Sequence, residues 1–276
     1  MASRPRSRRR ERSDTVARIL AAIPAIAFAI FIVSQGGIVF ALGLIALGVL
    51  AMAELYTMME RVRPPNLAGF VTLVALVLAA LYGTKQQVLL VLVLSVPLTF
   101  FLALVRPRRE HISWAMAVVF LGILWIGVAV AHGVFLREMH HGGGLVLDVL
   151  IGTFIGDTAA YFGGRAWGRR PLAPRISPNK TLEGLLTGVV GGTLAFWLFA
   201  VAYQHEWFKG PDALLIGFVV ALVGPVGDLF ESAIKRDLDV KDTGRFFGAH
   251  GGVLDRVDAV LFTLVAGYYM AQAVLG

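Results

Sequence analysis

Four acidic side chains, Asp157, Asp228, Glu231 and Asp255, fall within or at the edge of long apolar runs, and Asp148 and Asp258 stand close by. A charge at the centre of a membrane span costs roughly 2.5 to 3.5 kcal/mol even on the lenient insertion scale, so such groups mark ion, proton or substrate sites. Asp228 and Glu231 are three residues apart and Lys235 follows Glu231 by four, which places all three on one helical face. Asp255 and Asp258 repeat the three-residue step with Arg256 between them, and Asp157, Tyr161 and Arg165 follow one another at steps of four. A ladder of ion pairs along one helix would show the same spacing. Carboxylates converging from separate helices would instead suit a hard divalent ion such as magnesium, which takes a few carboxylates together with water and substrate phosphates. Cysteine is absent, and no His/Cys set suggests zinc. Asp148 is expected nearer the far interface, where hydration is cheap.

Cations lie beside these acids. Lys235, Arg236, Lys241 and Arg245 occupy the segment that leads to Asp255, and Gly251 and Gly252 offer backbone N–H groups at a helix start. A second basic stretch, "GGRAWGRRPLAPRISPNKTLEG" from Gly163 to Gly184, contains Arg165 and presents Ser177, Asn179, Lys180 and Thr181 as donors to anions. Either stretch alone reads as ordinary topogenic charge. Acids and cations together imply a metal, several phosphates and a reaction at the water–lipid boundary.

The elements that must position these residues are membrane spans. Hydrophobic residues make up 57% of the chain and charged ones 16%, against roughly a quarter charged in a soluble domain. Apolar windows of about 20 residues, long enough to cross hydrocarbon, recur near 17–34, 37–55, 67–83, 87–105, 112–136, 144–162, 184–203, 213–234 and 252–275. The expected fold is an all-α, polytopic membrane protein of about nine transmembrane helices. A basic disordered tail over 1–16 precedes a transmembrane domain over 17–276, whose catalytic half begins near 145. No convincing cleavage site precedes the second window, so the first is expected to be a retained helix.

Lys and Arg set the orientation. The tail to Arg18 holds seven of them, the 56–66 loop two, 106–111 three, 163–183 five and 235–251 four, or 21 of the 25, all on one side if the N-terminus is cytoplasmic. The arginine-rich tail then answers to anionic headgroups, and no nucleic-acid partner is expected. Within the eighth window Gly224 and Pro225 weaken the helix; proline frees the carbonyl of Ala221, as backbone lining a polar cavity or a simple packing kink would require.

Ser232, Lys235, Arg236, Lys241, Asp242, Gly248, His250, Gly251, Gly252, Asp255, Arg256 and Asp258 resemble the signature S-x-x-K-R-x4-K-D-x5-G-x-H-G-G-x2-D-R-x-D of phosphatidate cytidylyltransferases, also called CDP-diacylglycerol synthases. "GDTAAYFGGRAWGRR" and "ISPNKTLEG" are similar to the family's other two motifs, so the well-matched part spans roughly 145–276. Ala249 departs from the pattern, since many members read Pro-Gly ahead of the histidine. The resemblance implies transfer of cytidylate from CTP to phosphatidate in the cell membrane, with the active-site loops cytoplasmic. It implies magnesium, with a second cation such as potassium compatible and a homodimer left open. Asp228 and Asp255 are the expected metal ligands, with Asp157 and Glu231 beside or just behind them. Lys235, Arg236, Lys241 and Arg256 are expected on phosphate oxygens, with Arg165, Ser177, Asn179, Lys180, Thr181, Arg245, Gly251 and Gly252 lining the substrates. His250 either donates to pyrophosphate or fixes the glycine turn. Two rival classes share some features: an ion-coupled transporter, whose acids would lie near the midplane, and a prenyltransferase, whose paired D-D-x-x-D motifs are missing here.

Overall fold

A computed structural model describes residues 24–106, 111–204, 206–244 and 251–275. The expected basic tail over 1–16, Arg245 and His250 lie outside the described residues. Each of the nine apolar windows contains a helix. In chain order these are α1 (Pro24–Gln35), α2 (Gly37–Met58), α3 (Asn66–Tyr82) and α4 (Lys85–Leu104). The fifth window holds α5 (Ile112–Gly122) and α6 (Val128–Glu138), which run on through a π-helical turn at Ile123–Gly127. Then follow α7 (Gly142–Trp167), α8 (Leu182–Gln204), α9 (Gly210–Asp237) and α10 (Leu254–Leu275). Seven described helices, counting Ile112–Glu138 as one, are long and apolar enough to cross a membrane; Pro24–Gln35 and Asn66–Tyr82 are shorter. The protein is an all-α polytopic membrane protein.

Local chemistry explains the helix boundaries and irregularities. Thr84 starts α4 with a reciprocal cap: its hydroxyl accepts from Gln87 N–H, and the Gln87 side chain accepts from Thr84 N–H. A π-turn disturbs the regular backbone ladder. Just ahead of it, the buried Tyr56 hydroxyl of α2 donates to the Val119 carbonyl at 3.2 Å, tying the turn to a neighbouring helix. Pro225 does not interrupt α9, which stays helical from Gly210 to Asp237. Beside it Gly152, Thr153, Asp157, Ala221, Gly224 and Pro225 border a mostly apolar space of about one water molecule between α7, α8 and α9.

The catalytic half is drawn together by glycine. Along α7 the small residues Gly152, Gly156, Ala160 and Gly164 recur every four positions, and Gly184, Gly188 and Gly192 do so along α8. These two stripes face each other, which lets the backbones approach far more closely than leucine-lined helices can. A methyl group on Gly188 would sit 2.8 Å from the Ala160 Cβ and 3.0 Å from the Gly156 oxygen. The Gly192 backbone also meets Ala221 of α9, and Gly227 of α9 abuts the Asp258–Ala259 backbone of α10. α10 packs in turn on α6, and α6 on α2 and α3, so the first-half helices flank this quartet.

A small antiparallel hairpin joins α7 to α8, where only an irregular basic loop was expected. Its strands are β1 (Pro171–Ala173) and β2 (Ser177–Thr181), paired Pro171 to Thr181 and Ala173 to Ser177. Asp148 also differs from expectation. It is wholly buried, and both its oxygens accept from the Gln204 amide at 3.1 and 3.0 Å, so packing and a partner replace water there.

Gly188→Leu should therefore lower the thermal midpoint of the detergent-purified protein, by an amount matching about 1–3 kcal/mol of overpacking. Val190→Leu, two residues along and on the exposed face of α8, is the control and should leave the midpoint in place. Equal midpoints for both variants would show that the stripe does not set the packing.

Candidate active site at the hairpin end of α7 to α10

Two linked charge clusters form where α7, α8, α9 and α10 meet the hairpin. The first centres on Lys235, near the end of α9. Its ammonium lies 2.7 Å from Glu231 Oε2 and 2.8 Å from Asp255 Oδ1, so it joins α9 to the first turn of α10. Glu231 is 2% exposed. Lysine has three N–H donors, and these two carboxylates engage two of them. The expected face of Asp228, Glu231 and Lys235 thus exists, but its lysine also serves a carboxylate on another helix.

Asp255 accepts from several donors. Besides Lys235 on Oδ1, its Oδ2 lies 3.0 Å from Thr243 N, 2.9 Å from the Thr243 hydroxyl and 2.7 Å from Gly252 N. Gly251 beside it adopts φ +86°, a left-handed turn suited to glycine, and its backbone runs close against the Asp255 carboxylate.

Asp228 forms the second cluster. It pairs with Lys180 of β2 and accepts from the Ser232 hydroxyl at 3.3 Å. Its charge acts on Asp157 of α7 and on Asp258 of α10, and Asp258 acts on Glu231. Asp157, Asp228 and Asp258 are therefore neighbours contributed by three helices. The sequence ranked Asp258 below the other acids although it closes the signature; Gly227 packs against its backbone. Among the described residues no group of three or more His, Cys, Asp or Glu side chains is placed so as to hold a metal ion.

The hairpin holds its own residues in place. Thr181 accepts from Gly184 N–H at 3.1 Å, a cap on α8. Glu183 accepts from the N–H groups of Arg169 and Arg170 at 3.0 and 3.1 Å, folding the end of the preceding segment back onto α8. Arg236 donates from Nε to the Ile176 carbonyl at 3.2 Å, which fastens the hairpin turn to α9. Arg165 donates to the Tyr161 hydroxyl, in keeping with the shared face that their spacing predicts. Lys241, Asn179 and Arg256 are exposed near these elements, and Ser177 is half-buried.

One residue went unrecognised in the sequence. Glu54, near the end of α2, accepts from Val253 N–H and Leu254 N–H at 2.9 Å each, and the Thr243 hydroxyl lies 3.1 Å from its Oε2. A lone acid at the end of a very apolar window was the only available signal.

Carboxylates and cations interleaved at one end of a polytopic bundle suit the handling of phosphate esters at a lipid boundary. The chain belongs to the cytidylyltransferase family, whose sequence model matches residues 16–274. It is 31% identical over 267 residues to the phosphatidate cytidylyltransferase of Bacillus subtilis (strain 168), covering 93% of this chain and 97% of that one. It is 29% identical over 256 residues to the protein of that name from Staphylococcus epidermidis (90% and 95% covered), and 37% identical over 166 residues to that of Mycobacterium leprae (59% and 52%). The match takes in the first half of the chain, which the sequence motifs left unassigned.

Lys235→Met leaves Glu231 buried without its ammonium. Removing one partner of a buried pair costs about 3–5 kcal/mol, so the thermal midpoint should fall sharply. Glu231→Gln introduced into that variant should recover part of the loss. A midpoint unmoved by Lys235→Met would mean that the lysine does not hold these helices together.

Proposed function

We propose that this protein transfers cytidylate from CTP to phosphatidate, forming CDP-diacylglycerol and pyrophosphate. Carrying the reading is the end-to-end similarity to the Bacillus subtilis relative, in a chain whose signature carboxylates and cations gather at one end of the bundle. That gathering also speaks against a transporter, whose acids would line the midplane.

In this reaction a phosphatidate oxygen attacks the α-phosphorus of CTP. A new P–O bond forms there, the bond to the bridging oxygen breaks, and its electron pair leaves with pyrophosphate. The nucleophile is already an anion, so the protein's work is to neutralise repelling phosphates and align them. Lys235 has one N–H direction beyond its two carboxylates and can present it to a phosphate oxygen. Lys180, Lys241, Arg236 and Arg256 are assigned to the remaining phosphate charge.

No three acids among the described residues are placed to hold a metal together, but magnesium takes one or two carboxylates with substrate phosphates completing the shell, and Asp228 with one neighbouring acid would suit it. When bound it would supply charge neutralisation at the triphosphate. Asp228 is the central ligand in this reading. Asp255, held by Lys235, Thr243 and Gly252, is assigned to orienting Lys235. The hairpin end faces the cytoplasm, where CTP is made and where the basic loops are retained.

Purified protein given phosphatidate, labelled CTP and magnesium should move label into the lipid phase, and Asp228→Asn should reduce that turnover at least about 100-fold. No labelled lipid from the unsubstituted protein would refute the assignment. CTP made chiral by sulfur at the α-phosphorus should yield product of inverted configuration; net retention would require a covalent enzyme intermediate.

Orientation has its own test. The chain is free of cysteine, so single cysteines at Arg170 and Asp242, both exposed, report sidedness. Neither should react with an impermeant reagent outside intact cells, and labelling of both would reverse the topology.

A further inference from the structure

The first half of the chain carries one carboxylate into the transfer site. Glu54 belongs to α2, yet its two oxygens meet the start of α10, 199 and 200 residues away, at Val253 N and Leu254 N. The first N–H groups of a helix have no partner within the helix, and a helix N-terminus favours negative charge. Glu54 satisfies two of those orphan donors and places its charge on the dipole. Gly252 and Gly244 both run so close to the Glu54 carboxylate that a Cβ on either would collide with it. The connection between α9 and α10 therefore has both of its described ends gathered on this one side chain.

Thr243 completes the arrangement. Its hydroxyl is 3.1 Å from Glu54 Oε2 and 2.9 Å from Asp255 Oδ2, and its N–H donates to Asp255. The hydroxyl has a single proton, so it can serve only one of the two carboxylates at a time; four backbone N–H groups and Lys235 supply the remaining donors. Thr243 is 4% exposed. A line of contacts thus runs from Glu54 through Thr243 and the α10 N-terminus to Asp255, and from Asp255 to Lys235 and Glu231.

We propose that Glu54 is a positioning residue of the transfer site, a clamp by which α2 fixes the α10 N-terminus and Thr243 so that Asp255 holds Lys235 in register for substrate phosphate. The role rests on the cytidylyltransferase reading given above. Glu54 itself touches no reacting atom. Its effect is geometric: with the carboxylate in place, Asp255 and Lys235 keep one arrangement, and without it the α9–α10 connection loses the anchor common to both ends.

Glu54→Gln keeps the size and one acceptor oxygen but turns an NH2 group towards backbone donors or the Thr243 hydroxyl. It should lower kcat by about 100-fold, the scale of a 1 Å misplacement, while the KM values for CTP and phosphatidate shift less. Glu54→Asp, which retains the charge with a shorter reach, should recover part of kcat. Hydrogen exchange should quicken at Gly252, Val253 and Leu254 in Glu54→Gln and stay unchanged in the α7–α8 pair.

Thr243→Val tests the link between the two carboxylates. Combined with Glu54→Gln, it should lower kcat little beyond the worse single variant, since neighbours sharing one contact are not additive. Losses that multiply in full would overturn the link. Wild-type kcat with unchanged exchange in Glu54→Gln would overturn the clamp. So would exchange accelerated throughout the bundle with no recovery in Glu54→Asp, the mark of a general packing role. If the unsubstituted protein made no CDP-diacylglycerol, the assigned reaction would fall, and the local exchange pattern alone would decide the clamp.

Discussion

The start of α10 is the point on which the arrangement of the site depends. The first backbone N–H groups of a helix have no partner within it, and where they are buried in protein, as here, side chains must supply one. Here two carboxylates meet that need from opposite directions. Glu54 reaches in from α2, and Asp255 turns back from the first turn of α10 to Gly252. Each also engages Thr243, so the geometry that caps the helix sets the loop before it. Lys235 follows from this, because the carboxylate that caps the helix is also the one that draws its ammonium away from Glu231 alone.

Close backbone packing explains how so many charges from separate helices can collect in one place. The α7 and α8 stripes of small residues bring two polypeptide backbones into contact, and α9 and α10 approach at Gly227. Charged side chains from separate helices then come within range of one another: Asp157, Asp228 and Asp258 belong to α7, α9 and α10. Each acid cluster has a lysine within it, Lys180 for Asp228 and Lys235 for Glu231 and Asp255. Uncompensated, buried charges of this kind would each cost several kcal/mol.

The same construction divides labour between the halves of the chain. The second half supplies the groups proposed to meet CTP, phosphatidate and magnesium, and the hairpin adds Lys180 from a short rigid loop fastened by Glu183 and Arg236. The first half supplies the support: α6 lies under α10, and α2 delivers Glu54. Catalysis of phosphate transfer rests on alignment and charge placement, so a helix that touches no substrate can still belong to the working site.

The sequence by itself determined the class of molecule and much of the cast. Apolar windows of membrane length locate every α-helix among the described residues, because in lipid the backbone must satisfy itself within each segment. The steps among Asp228, Glu231 and Lys235, and from Tyr161 to Arg165, read correctly because helical neighbours follow from spacing alone. Tertiary structure decided the rest. Which donors Asp255 meets, and whether Asp148 meets water or Gln204, depend on which helix lies alongside. Glu54 is the clearest case: in the sequence it is one acid at the end of an apolar run, and only the packing of α2 against the start of α10 gives it partners some 200 residues away. Contacts over that separation are set by the three-dimensional register of helices, for which local spacing holds no signal.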